Sequence, residues 1–116
     1  MTVKQLSIFL ENKSGTLVKT LSILKSVGIQ LIATTVADTA DYGIFRMICS
    51  EPQKAFEALK AEGFATSLCD VEAITLDDTP GKASDAIEAF AKKGVSISYF
   101  YSFLLEGKGI LILKTA

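Results

Sequence analysis

The chain has no histidine and no tryptophan, and Arg46 is its only arginine. Without histidine, it lacks the side chain most often used for general-base catalysis and for zinc binding near neutral pH. Ser–His and Cys–His nucleophilic pairs are excluded for the same reason. These absences predict a protein that is not an enzyme and that holds neither a metal ion nor a cofactor.

Concentrated charge and long apolar runs are also missing. The formal net charge is -1, the sequence pI is about 5.4, and the lysines are scattered singly, which argues against nucleic-acid binding. The longest apolar run extends only from Ile110 to Leu113, so no membrane span is expected. Because the first residues lack the apolar stretch of a signal peptide, we expect a cytoplasmic protein.

Cysteine is scarce as well. Cys49 and Cys69 stand alone in apolar, strand-like stretches without metal-ligand spacing, so we expect two buried, reduced thiols. The remaining composition, 49% hydrophobic and 22% charged, is that of a folded protein. With 116 residues, the chain can form one ordinary domain or two very small units that support each other.

What the sequence does contain is a repeat with a period of 66 residues. Three glycines recur at that offset, and apolar positions keep the same register: Gly15 and Gly81, Gly28 and Gly94, Gly43 and Gly109, Ile8 and Ile74, Leu24 and Phe90, Leu31 and Ile97. Such self-similarity predicts a duplicated structural unit. We assign residues 1–70 to unit 1 and residues 71–116 to unit 2.

Unit 1 has the pattern of a ferredoxin-like fold. Residues 3–10 alternate as a strand, and Leu17, Leu21 and Leu24 follow at helical spacing up to Gly28. A strand hairpin over 29–49 is followed by a helix that starts at Pro52. A strand over 64–70 completes the order βαββαβ.

Unit 2 repeats only the first part of this order. Residues 71–76 are predicted as a strand, the helix ends at Gly94, and a hairpin over 95–114 follows. About 20 residues for the final helix and strand are lacking, counted from the 66-residue repeat. Either the second unit is naturally incomplete, or another chain covers the gap, or this is a shortened form. The predicted fold class is α+β, with tandem ferredoxin-like units, antiparallel sheets and an incomplete βαββ second unit.

Each unit places a polar turn with glycine between its first strand and its first helix. The two turns read Asn12-Lys13-Ser14-Gly15-Thr16-Leu17 and Asp78-Thr79-Pro80-Gly81-Lys82-Ala83. Backbone N–H groups at a helix start attract a carboxylate, and an amide such as Asn12 can both donate and accept, which suits a zwitterion. The same residue types also form helix starts and tight turns without any ligand. The turns alone leave both interpretations open.

In these turns the chain resembles the ACT family, and in particular small bacterial proteins made of two ACT units, over nearly its whole length. The family's loop reads Asp-x-Pro-Gly-x-Leu, and its first helix is followed by Gly-Ile-Asn-Ile. After the first helix of each unit, this chain has Gly28-Ile29-Gln30-Leu31 and Gly94-Val95-Ser96-Ile97, which correspond to the family's Gly-Ile-Asn-Ile. The resemblance implies a non-catalytic regulatory protein that binds an amino acid between ACT units.

The resemblance also implies which residues contact the ligand, since the family binds it between the glycine loop of one unit and the second strand of a neighbour. The implied residues of the first site are Asn12, Ser14, Gly15, Thr16 and Leu17, with Gln30 in place of the family's asparagine. Asp78 and Gly81 form the weaker counterpart in unit 2. Asp78 places a negative charge where the carboxylate of a ligand would sit. The second loop is therefore either a weaker ligand site or structural only.

An aromatic segment distinguishes unit 2 from unit 1. Tyr99, Tyr101 and Phe103 share one face of the predicted second strand, where unit 1 has small residues over 33–37. The two tyrosines could wall the ligand's side chain. Alternatively, the aromatic face is an interface that covers the incomplete unit, since large apolar patches are seldom exposed on monomers.

The leading functional hypothesis is therefore an amino-acid sensor that assembles as a homo-oligomer, most simply a dimer. The alternative is a ligand-free regulatory or structural subunit that docks on an amino-acid biosynthetic enzyme. An acylphosphatase-like enzyme would need an arginine in its phosphate-binding loop, whereas Arg46 lies in the predicted third strand. RNA binding through aromatic strands is disfavoured by the acidic pI.

Overall fold

A computed structural model describes residues 1–11, 13, 15–38 and 41–116. Asn12 and Ser14, two of the predicted ligand-binding residues, lie outside the described residues. The elements in chain order are β1 Thr2–Glu11, α1 Thr16–Ser26, β2 Leu31–Asp38, β3 Tyr42–Cys49, α2 Pro52–Ala61, β4 Ala65–Asp77, α3 Lys82–Lys92, β5 Ile97–Leu105 and β6 Lys108–Thr115. The strand order is β2-β3-β1-β4-β6-β5. The predicted α+β fold class with ferredoxin-like units is confirmed, although the described residues form six strands and not the seven that βαββαβ followed by βαββ would give.

One strand is longer than the sequence pattern suggested. The segments 64–70 and 71–76 were expected to be separate strands, but β4 runs unbroken from Ala65 to Asp77. No glycine or proline interrupts this stretch, so the backbone has no reason to leave the extended conformation. The chain forms two compact units, Lys4–Cys69 and Met1–Val3 with Asp70–Ala116, which we call the amino-terminal and carboxy-terminal units. The sequence-based assignment of 1–70 and 71–116 stays a prediction.

The amino-terminal unit has a well-buried core beneath its two helices. β1 and β2 both pair antiparallel with β3, with Ile8 opposite Phe45 and Thr34 opposite Met47. The core residues are Leu6, Ile8, Leu10, Leu24, Ile29, Phe45, Met47, Cys49, Ala55 and Leu59. Each large apolar side chain buried here contributes about 1.5–3 kcal/mol relative to exposure, so this cluster is the main source of the unit's stability.

The carboxy-terminal unit repeats the backbone pairing of the other unit. Ile74 lies opposite Leu111 in β4 and β6, just as Ile8 lies opposite Phe45 in β1 and β3. Even the register irregularity after Leu31 recurs after Ile97. The two units thus share the same strand register at an offset of 66 residues.

The helices differ in burial between the two units. α1 buries Thr20 and Leu24 and packs beside α2, whereas α3 buries no residue completely. The expected apolar stripe of α1 is only partly in the core, because Leu17 and Leu21 are 39% and 36% exposed. α3 has no neighbouring helix of its own unit among the described residues, which explains why its apolar side chains are only half-covered.

The two cysteines are both free thiols. Cys49 is buried, as expected, and its burial raises the pKa of the thiol. Cys69 is only half-buried, and its sulfur lies 3.7 Å from Nε2 of Gln5. The expectation of two buried thiols is therefore right for Cys49 and only partly right for Cys69.

Candidate functional site

The two glycine turns adopt the same backbone conformation. Gly15 and Gly81 precede α1 and α3 with φ of +86° and +90°, in the left-handed region that side chains with a Cβ avoid. The carbonyl of Gly15 accepts from the N–H of Lys19 at 2.9 Å, and the carbonyl of Gly81 accepts from Asp85 at 3.0 Å. Each turn therefore leads directly into a helix whose first N–H groups lack intrahelical acceptors.

The first turn carries a local ion pair. Nζ of Lys13 lies 2.6 Å from a carboxylate oxygen of Glu11, and this contact raises the pKa of Lys13. Both side chains are more than half exposed. Thr16 and Leu17 begin α1, where Thr16 is half-buried and Leu17 is exposed. Of the residues predicted for the first site, Gly15, Thr16 and Leu17 are thus adjacent at one helix start.

Gln30 lies at the other end of α1 in the same unit. Its backbone N–H donates to Oγ of Ser50 at 3.0 Å, and its carbonyl accepts from the N–H of Ser50 at 2.9 Å. Because α1 has 11 residues, its two ends are about 16 Å apart. Within one unit, the structure therefore does not bring Gln30 close to Gly15.

An aromatic pocket of about 340 Å³ lies next to the first turn. It is lined by Phe9, Leu10, Glu11, Thr16, Tyr42, Gly63, Phe64 and Ala65. The rings of Phe9 and Tyr42 stack with centroids 4.9 Å apart, and the two side chains are 49% and 45% exposed. Thr16 is the predicted site residue that contributes to this pocket.

A second cavity, of about 260 Å³, lies beside the second glycine turn. We call it the β4–α3 groove, and it is lined by Leu76, Asp77, Asp78, Thr79, Lys82, Ala83, Ser102, Phe103, Leu104, Gly109, Ile110 and Leu111. Asp78 was among the predicted residues, whereas Lys82, Ala83 and Phe103 were not. Lys82 and Ala83 occupy the last two positions of the loop motif, which is the signal that could have found them.

The acidic residues of this groove have different surroundings. Nζ of Lys108 lies 2.5 Å from Oδ1 of Asp77 and lowers the pKa of that carboxyl, with a smaller contribution from Lys82. Asp78 is exposed, and no hydrogen bond or ion pair engages its side chain within the described part of the chain. The rim of the groove therefore presents one neutralised carboxylate, one unpaired carboxylate and a lysine.

The predicted aromatic face of β5 is present. Tyr99, Tyr101 and Phe103 are all half-buried and alternate with exposed residues. Phe103 lines the β4–α3 groove, and the two tyrosines lie further along the strand, opposite Lys114 and Ile112. The opposite face exposes Phe100 and Leu104 at 52% and 66%, which sequence reasoning had not singled out. Whether the tyrosines contact a ligand or an interface stays a prediction.

Metal-binding clusters and membrane-spanning helices are both absent from the described part of the chain. Within residues 1–11, 13, 15–38 and 41–116, no three His, Cys, Asp or Glu side chains are grouped so that they could hold a metal ion. None of the helices described is long and apolar enough to cross a membrane.

Comparison with known proteins identifies the family. The family model of the ACT domain pair matches residues 1–116. The chain belongs to this family, and the resemblance drawn from the glycine turns is confirmed. Among curated proteins, none matches the sequence.

Solved structures support the same assignment. A protein from Bacteroides thetaiotaomicron is 40% identical, with a TM-score of 0.94, over 100% of this chain and 81% of its own. The regulatory subunit of aspartate kinase from Thermus thermophilus, in its ligand-free form, has a TM-score of 0.71 at 20% identity, over 95% of this chain and 81% of its own. The corresponding subunit from Thermus flavus has the same TM-score at 18% identity. At this level of identity, the kinase subunits show a common fold.

Proposed function

We propose that this protein is a cytoplasmic, non-catalytic regulator that binds an amino acid at its glycine turns and responds through its assembly. The observation that carries this proposal is the repeated turn of an ACT domain pair, with Gly15 and Gly81 in the same left-handed conformation before a helix. Such a turn offers backbone N–H groups to a carboxylate. The absence of histidine supports a binding role over a catalytic one.

Exposed apolar side chains support an assembly of two copies. On α1, Leu17 and Val18 are 39% and 65% exposed, and on the edge strand β2, Ile32 and Val36 are 54% and 52% exposed. Apolar side chains concentrated on one helix and one edge strand favour association over exposure to water. In the proposed dimer, ligand binds where the glycine turn of one copy meets the second strand of a unit from the other copy.

The proposed regulation follows from this arrangement. A ligand shifts an equilibrium between assembly states only by its difference in affinity for them. A ligand that binds where two copies meet has a higher affinity for the dimer than for a separated copy, because a separated copy offers only part of the ligand's contacts. The fold shared with regulatory subunits of aspartate kinase supports an amino-acid biosynthetic enzyme as the regulated partner.

Isothermal titration of the purified protein with each of the twenty amino acids tests the proposal. We expect heat of binding with one amino acid or a small related group, together with a change in sedimentation coefficient when that amino acid is added. No heat with any of them would overturn the proposal. It would instead favour the alternative, a subunit that docks on a biosynthetic enzyme without binding ligand, which affinity capture of that enzyme would then detect.

A further inference from the structure

The β4–α3 groove combines an apolar floor with a rim that carries both signs of charge. Leu76, Phe103 and Leu111 supply the floor, and Leu111 is only 1% exposed. Asp77, Asp78 and Lys82 stand at the rim. The volume of about 260 Å³ is below the ~300 Å³ at which sites for drug-sized ligands begin, so a small metabolite is the fitting occupant.

The charges at the rim are not equivalent. Lys108 neutralises Asp77 through the 2.5 Å contact between Nζ and Oδ1, so Asp77 has little attraction left for a ligand. Asp78 has no such partner among the described residues, and its carboxylate can accept from an ammonium group. Lys82, four positions later, offers three N–H donors to a carboxylate.

From this arrangement we propose that the β4–α3 groove binds a zwitterionic amino acid with an aliphatic side chain. Asp78 accepts from the α-ammonium, Lys82 donates to the α-carboxylate, and the side chain lies on the apolar floor. This inference rests on the proposed function and deepens it, because it names the class of ligand and the loop that selects it. It also takes the ligand-binding alternative for the second loop, since Lys82 gives the ligand carboxylate a partner of its own and Asp78 is left to the ammonium.

The first glycine turn lacks this combination of residues. The positions equivalent to Lys82 and Ala83 are Thr16 and Leu17, so the lysine is missing and a larger side chain stands beside the turn. Lys13, the lysine of that turn, is already paired with Glu11 at 2.6 Å. The apolar floor favours an aliphatic over a polar side chain, because burying a polar group without a hydrogen-bond partner costs free energy.

The test uses full-length protein, with valine, leucine and isoleucine as probes in isothermal titration. We expect Asp78→Asn to weaken binding of the best probe by about 10- to 100-fold, as for loss of a hydrogen bond to a charged group. Ala83→Phe should abolish binding by filling the groove. The control variant Ala61→Phe, at an exposed position of α2 that does not line the groove, should retain wild-type affinity.

Two ligand analogues examine the charges separately. Valinamide lacks the carboxylate and N-acetylvaline lacks the ammonium, so each should bind at least tenfold more weakly than valine. A further measurement needs no variant. Amide NMR spectra of the wild-type protein should show changes in the chemical shifts of Ala83 and Leu111 when valine, leucine or isoleucine is added. Thermal melts establish that each variant is folded.

The outcomes separate this inference from the proposed function. If wild-type protein binds an amino acid but Asp78→Asn and Ala83→Phe bind it equally well, the inference is wrong and the proposed function stands. If Leu17→Phe loses binding while Ala83→Phe retains it, the ligand belongs to the first turn, so the inference is wrong and the proposed function stands. If wild-type protein binds none of the amino acids, both fail.

Discussion

Lys108 donates a hydrogen bond from Nζ to Oδ1 of Asp77 at 2.5 Å, linking the first residue of β6 to the last residue of β4. The equivalent strand positions of the amino-terminal unit hold Tyr42 and Glu11, and there Glu11 pairs with Lys13 of the turn instead. The carboxylate at the end of the strand is thus paired with a lysine in both units. For Asp77 that lysine lies on the neighbouring strand, and for Glu11 it lies in the turn. Among the described residues, no ion pair therefore forms within the second glycine turn itself.

Removal of Lys108 should change the titration of Asp77. The Lys108 ammonium holds the folded-state pKa of Asp77 below its unfolded value, so the pair stabilises the protein above the unfolded pKa and loses that effect as pH falls through the folded pKa. In Lys108→Met, the pKa of Asp77 should rise, as followed by NMR titration of its carboxyl carbon. The small stability difference from wild type should vanish on acidification. Lys93→Met, a control at the far end of α3, should leave the Asp77 titration unchanged.

Substitution of the turn glycines should destabilise the protein through backbone conformation. An added Cβ at Gly15 or Gly81 would meet no atom within 4 Å, so crowding is not the cause. The φ values of +86° and +90° instead predict a loss of about 1–2 kcal/mol for Gly→Ala at either position. Gly→Asn should cost less, because asparagine enters this region more readily. Urea unfolding measures both, and equal losses for alanine and asparagine would contradict the explanation.

Thr66→Val should stabilise the protein. Oγ1 of Thr66 is buried and has no hydrogen-bond partner in the described structure. Replacing an unsatisfied hydroxyl with a methyl group of similar size should raise the free energy of unfolding by about 1 kcal/mol. Thr20→Val is the matched control, because Thr20 is also buried but its hydroxyl donates to the carbonyl of Leu17 at 2.7 Å. That variant should lose about 0.5–1.5 kcal/mol, and a loss of equal size in Thr66→Val would refute the prediction.

Leu24 and Phe90 occupy equivalent helix positions but should respond differently to truncation. Leu24 is 1% exposed in a closed core, so Leu24→Ala should cost about 2–5 kcal/mol. Phe90 is larger but only half-buried on α3, so Phe90→Ala should cost less than Leu24→Ala. Equilibrium unfolding in urea compares the two variants. A greater loss from Phe90→Ala would show that α3 is better packed than its exposure indicates.

Most element boundaries were predictable because their signals are local. The strand expected over 3–10 is found at Thr2–Glu11, and the helix expected from Pro52 begins there. Gly28 and Gly94 were expected to end helices, and each follows one with φ of +75° and +72°. Continuity of β4 was missed, since periodicity places a strand but does not show whether two adjoining strands merge.

The candidate site was less predictable. The sequence located both glycine turns, and the structure shows Gly15 and Gly81 in matching conformations. It did not reveal that Lys82 and Phe103 line one groove, because they come from different elements and are not close in the chain. The exposure of Leu17 and Leu21 was equally hidden, since helical spacing marks an apolar stripe without showing how much of it a neighbour covers.

By itself, the sequence determined the order of helices and strands and the 66-residue offset between the units, because helix caps, glycine turns and apolar periodicity depend on neighbouring residues. Only the tertiary structure decided which carboxylate of the Asp77-Asp78 pair is neutralised. Lys108 lies 31 positions from Asp77 and reaches it through the pairing of β4 with β6. The pairing of these two strands therefore decides that Asp77 is neutralised by Lys108 and that Asp78 keeps the unpaired negative charge at the second glycine turn.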